Sequence, residues 1–423
     1  MKFYDELKAR GIIEAMSHDE LEEKLNNESL SFYCGYDPSA KSLQLGNLFT
    51  IVTCMRFQNA GHKPYMLVGG ATGMIGDPSG KSEERNLLDE DTLKSNIEGI
   101  TKQLGQFVSF DTSKSNAAVM VNNHDWWGGI GFLEFLRTIG KRFRVSEMLA
   151  KDSVKSRIQS ESGISLTEFS YQILQAYDFV CLNKQHNVKL QIGGSDQWGN
   201  MTAGTDLVRK MNGEQAFCFT MPLITDQNGN KFGKSAGNAI FLDGEMTSPY
   251  KMYQFLLNVD DAIVDGLLKR YTFLTLDEIA TLEDKTKTEP HLRVAQKTLA
   301  SEVVKLVHGE EGLASALRAT SFFFGEKIEN VTDKEISSIF EDVPSVTLSK
   351  DFLNEGEFLE ALAQTPLFKS KGEARRSVEQ NGISINNVKV TAVDKKLSKD
   401  DLASETALLV KKGKKNYCVI KFE

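Results

Sequence analysis

Two lysines three apart, Lys231 and Lys234, stand in the segment Lys-Phe-Gly-Lys-Ser at 231–235, after a β-type run and the turn 226–230. On a flexible loop such a pair can close over a polyphosphate and open again. The same spacing also suits a plain surface loop. A second cationic loop, Gly/Pro-rich, spans 69–82 and leads into Lys81 and Arg85. Its Gly80-Lys81-Ser82 ends like a P-loop, but the first glycine of that motif belongs at position 75, where the chain has Ile75, and Gly76 is one residue late. A loop that wraps a phosphate with successive N–H groups does not absorb such a shift. The segment 33–47 runs from a strand through Asp37-Pro38 to a helix start near Leu43. Ser42 is suited to cap that helix, and free N–H groups at its positive dipole end suit a phosphate. Gly46 permits a close approach of a ring or backbone. In Gln-Ile-Gly-Gly-Ser-Asp-Gln-Trp-Gly-Asn, 191–200, a strand ends in Gly193-Gly194 and delivers Asp196 and Gln197 to a helix start. Asp196 either caps that helix or bonds a ribose diol. Tyr171, Gln175 and Asp178 lie at offsets of four and three, on one helical face. Phe169, Ile173, Leu174 and Phe179 surround them, so the helix reads as buried and its polar groups need partners. A ligand with an amine and a phenol would supply them.

These segments need elements that bring them together. Between about 31 and 244, short β-type runs end in Gly-rich turns and alternate with helical stretches. Strands are expected at 31–36, 64–68, 118–122 and 188–192, and helices at 43–60, 91–107, 166–180 and 195–211. The alternation predicts a Rossmann-like, doubly wound α/β domain with a parallel sheet, over 1–245, whose ligands bind beyond the carboxyl ends of the strands. After 246 glycine becomes sparse and the spacing turns helical, at 249–257 and 290–307, which predicts a helical domain over 246–345. The last stretch, 350–423, reads as a small α+β module: a helix at 372–380, the turn Asn381-Gly382, and short strands at 383–385, 389–390 and 417–421. The chain of 423 residues carries a net charge of −8, yet residues 366–423 hold 13 basic and 7 acidic residues. An acidic body with a basic tail suits a protein that meets a polyanion through one part only, and a lysine-rich solvated surface gives the same numbers. The five cysteines have no Cys-x-x-Cys spacing, which disfavours a disulfide framework or zinc site and fits a reducing compartment. The start, Met-Lys-Phe-Tyr-Asp-Glu-Leu, lacks the apolar stretch of a signal peptide, and no run reaches the length of a membrane span.

Taken together and in this order, Gly-Asp-Pro-Ser-Gly-Lys at 76–81, Gly-Gly-Ser-Asp-Gln-Trp-Gly-Asn at 193–200, the Tyr171 to Asp178 helix and Lys-Phe-Gly-Lys-Ser resemble the bacterial tyrosyl-tRNA synthetases, a class I family. The resemblance spans nearly the whole chain. It implies that tyrosine is activated by ATP and then loaded onto the 3′ end of tRNA(Tyr). Tyr33 and Asp178 would bond the substrate phenol; Asp77, Tyr171 and Gln175 its ammonium group; Gln197 its carboxylate region. Gly35, Asp37, Asn47, Gly194 and Asp196 would hold the sugar and backbone of ATP. Ser39, Gln44, Lys81, Arg85, Lys231, Lys234 and Ser235 would act on the triphosphate. The chemistry fits this division, because carboxylate attack on the α-phosphorus needs positioning and charge stabilisation rather than a side-chain nucleophile. The family often has His where Gln44 and Asn47 stand, and either amide can still donate a hydrogen bond. It further implies a cytoplasmic homodimer, with Mg2+ as the counter-ion of ATP and no metal site or prosthetic group of the protein's own. The helical and S4-like C-terminal domains would bind tRNA through Lys369, Lys371, Arg375, Arg376, Lys411, Lys412, Lys414 and Lys415. Gly372 stands where the family usually has a basic residue. Asp260 is a candidate for reading the anticodon guanine, and helix capping explains it equally well. A tryptophan-specific sister enzyme and a non-catalytic RNA-binding relative are the alternatives; the phenol pair Tyr33/Asp178 argues against the first and the retained cations against the second. A P-loop kinase is disfavoured by Ile75.

Overall fold

The computed structural model describes residues 1–79, 87–159, 163–225, 229, 232–235, 238–323, 325–329, 331–341, 343–413 and 416–423. The chain packs as two compact units, Met1–Met246 with Asn258–Leu299, and Thr247–Leu257 with Ala300–Glu423.

The first unit is built on a six-stranded sheet. Its strands are β1 (Ala15–Met16), β2 (Ser31–Tyr36), β3 (Lys63–Val68), β4 (Val119–Asn122), β5 (Leu190–Gly194) and β6 (Phe217–Met221), in the spatial order β1-β6-β5-β2-β3-β4. All pairings are parallel except β1 with β6. β3 and β6 are buried almost throughout, the run of apolar residues expected of strands covered on both faces. From β2 the order runs to β3 and β4 on one side, and β5 and β6 lie on the other. The switch point therefore falls between β2 and β5, where a doubly wound sheet opens a crevice at its carboxyl end.

Four helices matter for that crevice: α1 (Leu45–Asn59), α2 (Glu90–Phe107), α3 (Leu166–His186) and α4 (Trp198–Asn212). α3 begins at Ser165, whose Oγ accepts from the N–H of Glu168 at 3.2 Å. It runs six residues past the expected 180 and stops at Asn187, left-handed at φ 53°, a conformation asparagine tolerates. Ser42 does not cap α1. The cap position is Gln44, whose N–H donates to Asn47 Oδ1 at 3.0 Å, while Ser42 Oγ accepts from Gln103 Nε2 at 2.8 Å. Nor does Asp196 cap α4: residues 195–197 form a separate 3-10 turn, and α4 starts after Gln197.

A buried ion pair anchors the start of α3. The Arg157 guanidinium meets the Glu168 carboxylate twice, Nη1–Oε1 at 3.2 Å and Nη2–Oε2 at 2.8 Å, and each side chain is only 2 % exposed. Removing one partner strands a buried charge, which costs about 3–5 kcal/mol. Glu168→Ala is expected to lose stability in that range, measured as a lowered urea midpoint at unchanged slope. A loss below about 1 kcal/mol would show that water reaches and solvates Arg157.

The second unit carries a five-stranded sheet in the spatial order 388–389, 383–385, 407–412, 416–422, 345–348, antiparallel except for the last pair. One face covers a core around Phe358, Leu362, Val378, Leu408, Ile420 and Phe422. The helix Lys371–Glu379 lies one residue earlier than expected and is capped by Ser370 Oγ, which accepts from Glu373 N–H at 3.2 Å. The expected helix at 290–307 is instead a 3-10 turn, Pro290–Leu292, followed by Val294–Phe323, which is broken at Gly309 (φ 72°).

Packing has an edge at Met246, close to the boundary expected at 245, but none near 345. Asn258–Leu299 belongs with the N-terminal body, where the buried Arg10 donates to the carbonyls of Lys269 and Leu274 at 3.3 and 2.9 Å. The change of texture at 246 coincides with the end of the first segment of the N-terminal unit at Met246, and the chain returns to that unit at Asn258.

Candidate functional site

At the carboxyl end of β3 stand glycines where an added Cβ would force neighbouring polar side chains to move. A Cβ on Gly69 would overlap Asp37 and Thr72, and one on Gly70 would overlap Asn122. At the end of β2, Asp37 therefore sits tight against the end of β3. Its Oδ1 accepts from Thr72 Oγ1 and its Oδ2 from the Tyr171 hydroxyl, both at 2.6 Å. Asp37, expected on the nucleotide side, thus shares a network with Tyr171. Asp77 faces the other wall: its Oδ1 accepts from Ser79 N–H at 2.9 Å and its Oδ2 from Gln197 Nε2 at 2.7 Å. The Asn200 amide donates to Gln175 Oε1 and to Gln197 Oε1, both at 3.2 Å, linking α3 to the start of α4. Burial first, then the charges of Asp37 and Asp77, push the Tyr171 phenol well above its ordinary range. An ammonium group is what such a concentration of carboxylate and amide oxygen favours.

The closed end of the crevice is made by Tyr33 and Asp178, 1 % and 2 % exposed. Tyr33 comes from β2 and packs edge-on against Phe179 at 5.1 Å between ring centroids. Its hydroxyl has no hydrogen-bond partner among the described residues. Asp178 Oδ1 accepts from the indoles of Trp126 at 2.8 Å and Trp127 at 2.9 Å; Oδ2 accepts from Asn123 Nδ2 at 3.1 Å. Burial raises the Asp178 carboxyl to about 7, against the pull of those three donors. Burial also raises the Tyr33 phenol well above its usual value, and the charge of Asp178 adds to this. Gln191 stands beside Tyr33 in the β2–β5 register, and its Oε1 is likewise buried without a partner among the described residues. Buried polar atoms left unpaired cost free energy, so this end is chemically incomplete and matched to a hydroxyl that both donates and accepts.

On the open side, two distant segments meet at the N-terminus of α1. Leu45 N–H donates to Ile240 O at 2.7 Å, and Leu242 N–H to Leu43 O at 2.8 Å. Ile240 N–H in turn donates to Gly233 O at 2.8 Å. These bonds seat Phe232-Gly233 against Gly46: a Cβ on Gly233, itself at φ 93°, would stand 3.1 Å from Gly46 N. The backbone of Lys234 and Ser235 continues as β7 (Lys234–Ser235), paired with β8 (Asn238–Ala239). Gln44 and Asn47 are half-buried here, and Gly35 and Ser39 are exposed. Gly194 and Asp196 follow at the end of β5, half-buried. Lys81, Arg85 and Lys231 lie outside the described residues, as do the side chains of Lys234 and Ser235.

The basic residues of the second unit divide into two sets. Lys371 Nζ is bonded to Glu357 at 2.6 Å and Glu360 at 3.2 Å, and Lys412 Nζ to Glu373 at 2.8 Å. Their charge is largely compensated within the protein. Lys369, Arg375 and Arg376 are exposed, and Lys411 Nζ sits 5.1 Å from the centroid of the Tyr417 ring. Lys414 and Lys415 lie outside the described residues. In the first unit, Asp260 caps the helix Asp261–Tyr271, its Oδ1 accepting from Ala262 N–H at 2.8 Å.

Sequence spacing missed six residues of the site. Asn200 and Gln191 stood inside a quoted motif without a role. Thr72, Asn123, Trp126 and Trp127 reach the site only through folding, and the one signal was an Asn-Asn-His-Asp-Trp-Trp run at the end of a strand.

Comparison with known proteins places these features in context. Residues 25–325 match the family model of tRNA synthetases class I (W and Y), and residues 335–420 match the tyrosine--tRNA ligase SYY-like C-terminal domain. Over 423 residues, 100 % of both chains, the sequence is 48 % identical to a tyrosine--tRNA ligase of Streptococcus pneumoniae (strain ATCC 700669 / Spain 23F-1). Among solved structures, C-terminally truncated mitochondrial tyrosyl-tRNA synthetases from Aspergillus nidulans and Coccidioides posadasii align with TM-scores of 0.66 and 0.65, at 30 % and 32 % identity. The alignments cover 74 % and 75 % of this chain, and 92 % and 91 % of those chains.

Proposed function

The chain belongs to the class I tRNA synthetases (W and Y) and joins tyrosine to tRNA, and from that premise we propose how its residues share the work. The observation that carries the assignment is the buried Tyr33 hydroxyl, without a partner among the described residues, beside the Asp178 carboxylate. Tyr33 donates to the substrate phenol oxygen, and the phenol donates to Asp178. Asp77, Tyr171 and Gln175 hold the ammonium group, with Asp37 behind Tyr171, and Gln197 orients the carboxylate. That carboxylate oxygen attacks the α-phosphorus of ATP, the bond to the β,γ-diphosphate breaks, and pyrophosphate leaves. A terminal ribose hydroxyl of tRNA then takes the tyrosyl group and AMP departs.

ATP is the family's energy source. Gly35, Asn47, Gly194 and Asp196 line the sugar and backbone side, and Ser39, Gln44, Lys81, Arg85, Lys231, Lys234 and Ser235 serve the triphosphate. Mg2+ arrives with those phosphates as part of the substrate. Residues 1–245 carry this chemistry, and 246–345 and 350–423 engage tRNA(Tyr). Arg375, Arg376, Lys411, Lys414 and Lys415 meet its phosphates, with Lys371 and Lys412 tuned by their carboxylates; Asp260 serves first as a helix cap. The exposed apolar side chains Phe132, Leu133, Val145 and Leu166, the second and fourth of these 74 % and 76 % exposed, are candidates for contact with a second copy of the chain. Among the described residues no helix is long and apolar enough to cross a membrane. Five buried free cysteines suit the cytoplasm.

Equilibrium dialysis with tyrosine, phenylalanine and tryptophan tests this reading. Tyrosine alone is expected to bind tightly. Its affinity should depend on pH through Asp178, which accepts the phenol proton only when ionised. With the free carboxyl at about 7, binding should weaken as pH falls through neutrality and strengthen above it. The same raised value makes the native state the better proton binder. Asp178 therefore withdraws stability as pH rises from the ordinary aspartate range to about 7, and contributes most below it. Equal affinity for tyrosine and phenylalanine would refute the phenol site.

A further inference from the structure

Three N–H donors converge on Asp178, and they are unevenly shared. Both indoles donate to Oδ1, and Asn123 alone donates to Oδ2. A carboxylate oxygen offers about two lone-pair sites. Oδ1 is therefore filled, and Oδ2 keeps one site for a further donor. The Trp127 ring has its own anchors: it packs on Tyr177 of α3 at 5.0 Å between centroids and 59°, and on Phe135 at 6.1 Å and 55°. Tyr177 is the chain neighbour of Asp178, so one helix fixes both the ring and the carboxylate it serves.

We propose that Trp127 is a positioning and specificity-determining residue, whose indole N–H, together with that of Trp126, turns the Asp178 carboxylate so that its free lone pair on Oδ2 meets the substrate hydroxyl. This rests on the reading of Tyr33 and Asp178 as the phenol site. A donor aimed at the charged form also favours that form. Losing the indole N–H should therefore make Asp178 easier to protonate and blunt its choice of a ligand that brings a proton. The titratable groups facing Asp178 are Tyr33 from β2, Asp37 at the end of β2, and Tyr171 and Cys181 from α3. Burial lifts both phenols well above their usual range and the thiol to about 12. These three stay neutral near neutral pH, so a titration there reports the carboxylates.

The test uses the full-length protein and equilibrium dialysis of labelled tyrosine and phenylalanine from about pH 5.5 to 9. Two variants are compared with the parent: Trp127→Phe, and one carrying 3-benzothienylalanine at position 127, which keeps a bicyclic ring but has sulfur in place of the N–H. Both are expected to bind tyrosine about tenfold more weakly at pH 7, the scale of one hydrogen bond to a charged group. The acid-side midpoint of tyrosine binding should move up by about one pH unit. Phenylalanine binding should stay within about twofold. Unchanged tyrosine affinity and midpoint in the benzothienyl variant would overturn the proposal. So would an equal loss for tyrosine and phenylalanine with the midpoint unmoved, which is the mark of ring packing alone. A parent protein that does not distinguish the two amino acids would overturn the phenol site itself, and the proposal with it.

Discussion

Asp178→Asn is expected to lower kcat/KM for tyrosine at least about a hundredfold while leaving phenylalanine nearly unchanged, so that discrimination collapses. The side chains are equal in size, so the effect isolates hydrogen-bond polarity. In the parent, three N–H groups point at Asp178, and only an acceptor satisfies them. An asparagine turns its carbonyl towards the two indoles, and its NH2 then faces both the Asn123 amide and the phenol. The phenol loses an acceptor, and a donor meets a donor in a place nearly closed to water. Losing a hydrogen bond to a charged group costs about 1.5–3 kcal/mol, and a buried unpaired donor adds about 1–3 kcal/mol. Phenylalanine brings no hydroxyl and has nothing to lose. A site built to bond a hydroxyl rejects the analogue that lacks it, a rule for which tyrosine–tRNA ligases are themselves the standing illustration. Amino-acid-dependent rates for both substrates, measured side by side, check this. A fall of equal size for both would mean that the substitution perturbs the whole pocket rather than the phenol end.

Lys234→Ala should act on the rate instead. A drop of about 10²–10³ in kcat is expected, the scale for removing a group that stabilises charge only as the reaction proceeds, with tyrosine affinity changed less than about twofold. Ile240 and Leu242 are bonded to residues 43–45, and Gly233 is pressed against Gly46. The loop that bears Lys234 is therefore anchored at the N-terminus of α1, where N–H groups and the helix dipole favour phosphate. On the proposed reading, tyrosine's phenol and amine are held by other elements, β2, α3 and the turn at Asp77. Single-turnover kinetics with a separate binding measurement divides the two effects. Comparable defects in ATP and tyrosine binding at unchanged turnover would place Lys234 in ground-state binding and contradict this account.

Much of the frame was legible because it is local. The strand at 31–36 coincides with the observed β2, since an apolar run there ends at Asp37-Pro38. The one-face spacing of Tyr171, Gln175 and Asp178 announces a polar stripe, because four- and three-residue offsets on a helix translate directly into space, and in the fold Tyr171 and Asp178 are buried and Gln175 half-buried. What stayed hidden depends on contacts between distant parts. Asn123, Trp126 and Trp127 reach Asp178 across more than 50 residues of sequence, and no periodicity encodes that meeting. Ser42 looked like a cap because serine favours that position, but tertiary bonds to Gln103 claimed it. Sequence offers Lys371 and Lys412 only as phosphate contacts, whereas the fold places Glu357, Glu360 and Glu373 beside them. The same applies to Asn258–Leu299, whose helical texture says nothing about which core receives it.

On the function proposed for it, this crevice activates tyrosine and recognises it by its phenol. Exchange of labelled pyrophosphate into ATP, without tRNA, tests it most directly, with tyrosine, phenylalanine and tryptophan supplied in parallel. Exchange with tyrosine alone is the predicted result. Exchange with tryptophan, or none with any of the three, would contradict it.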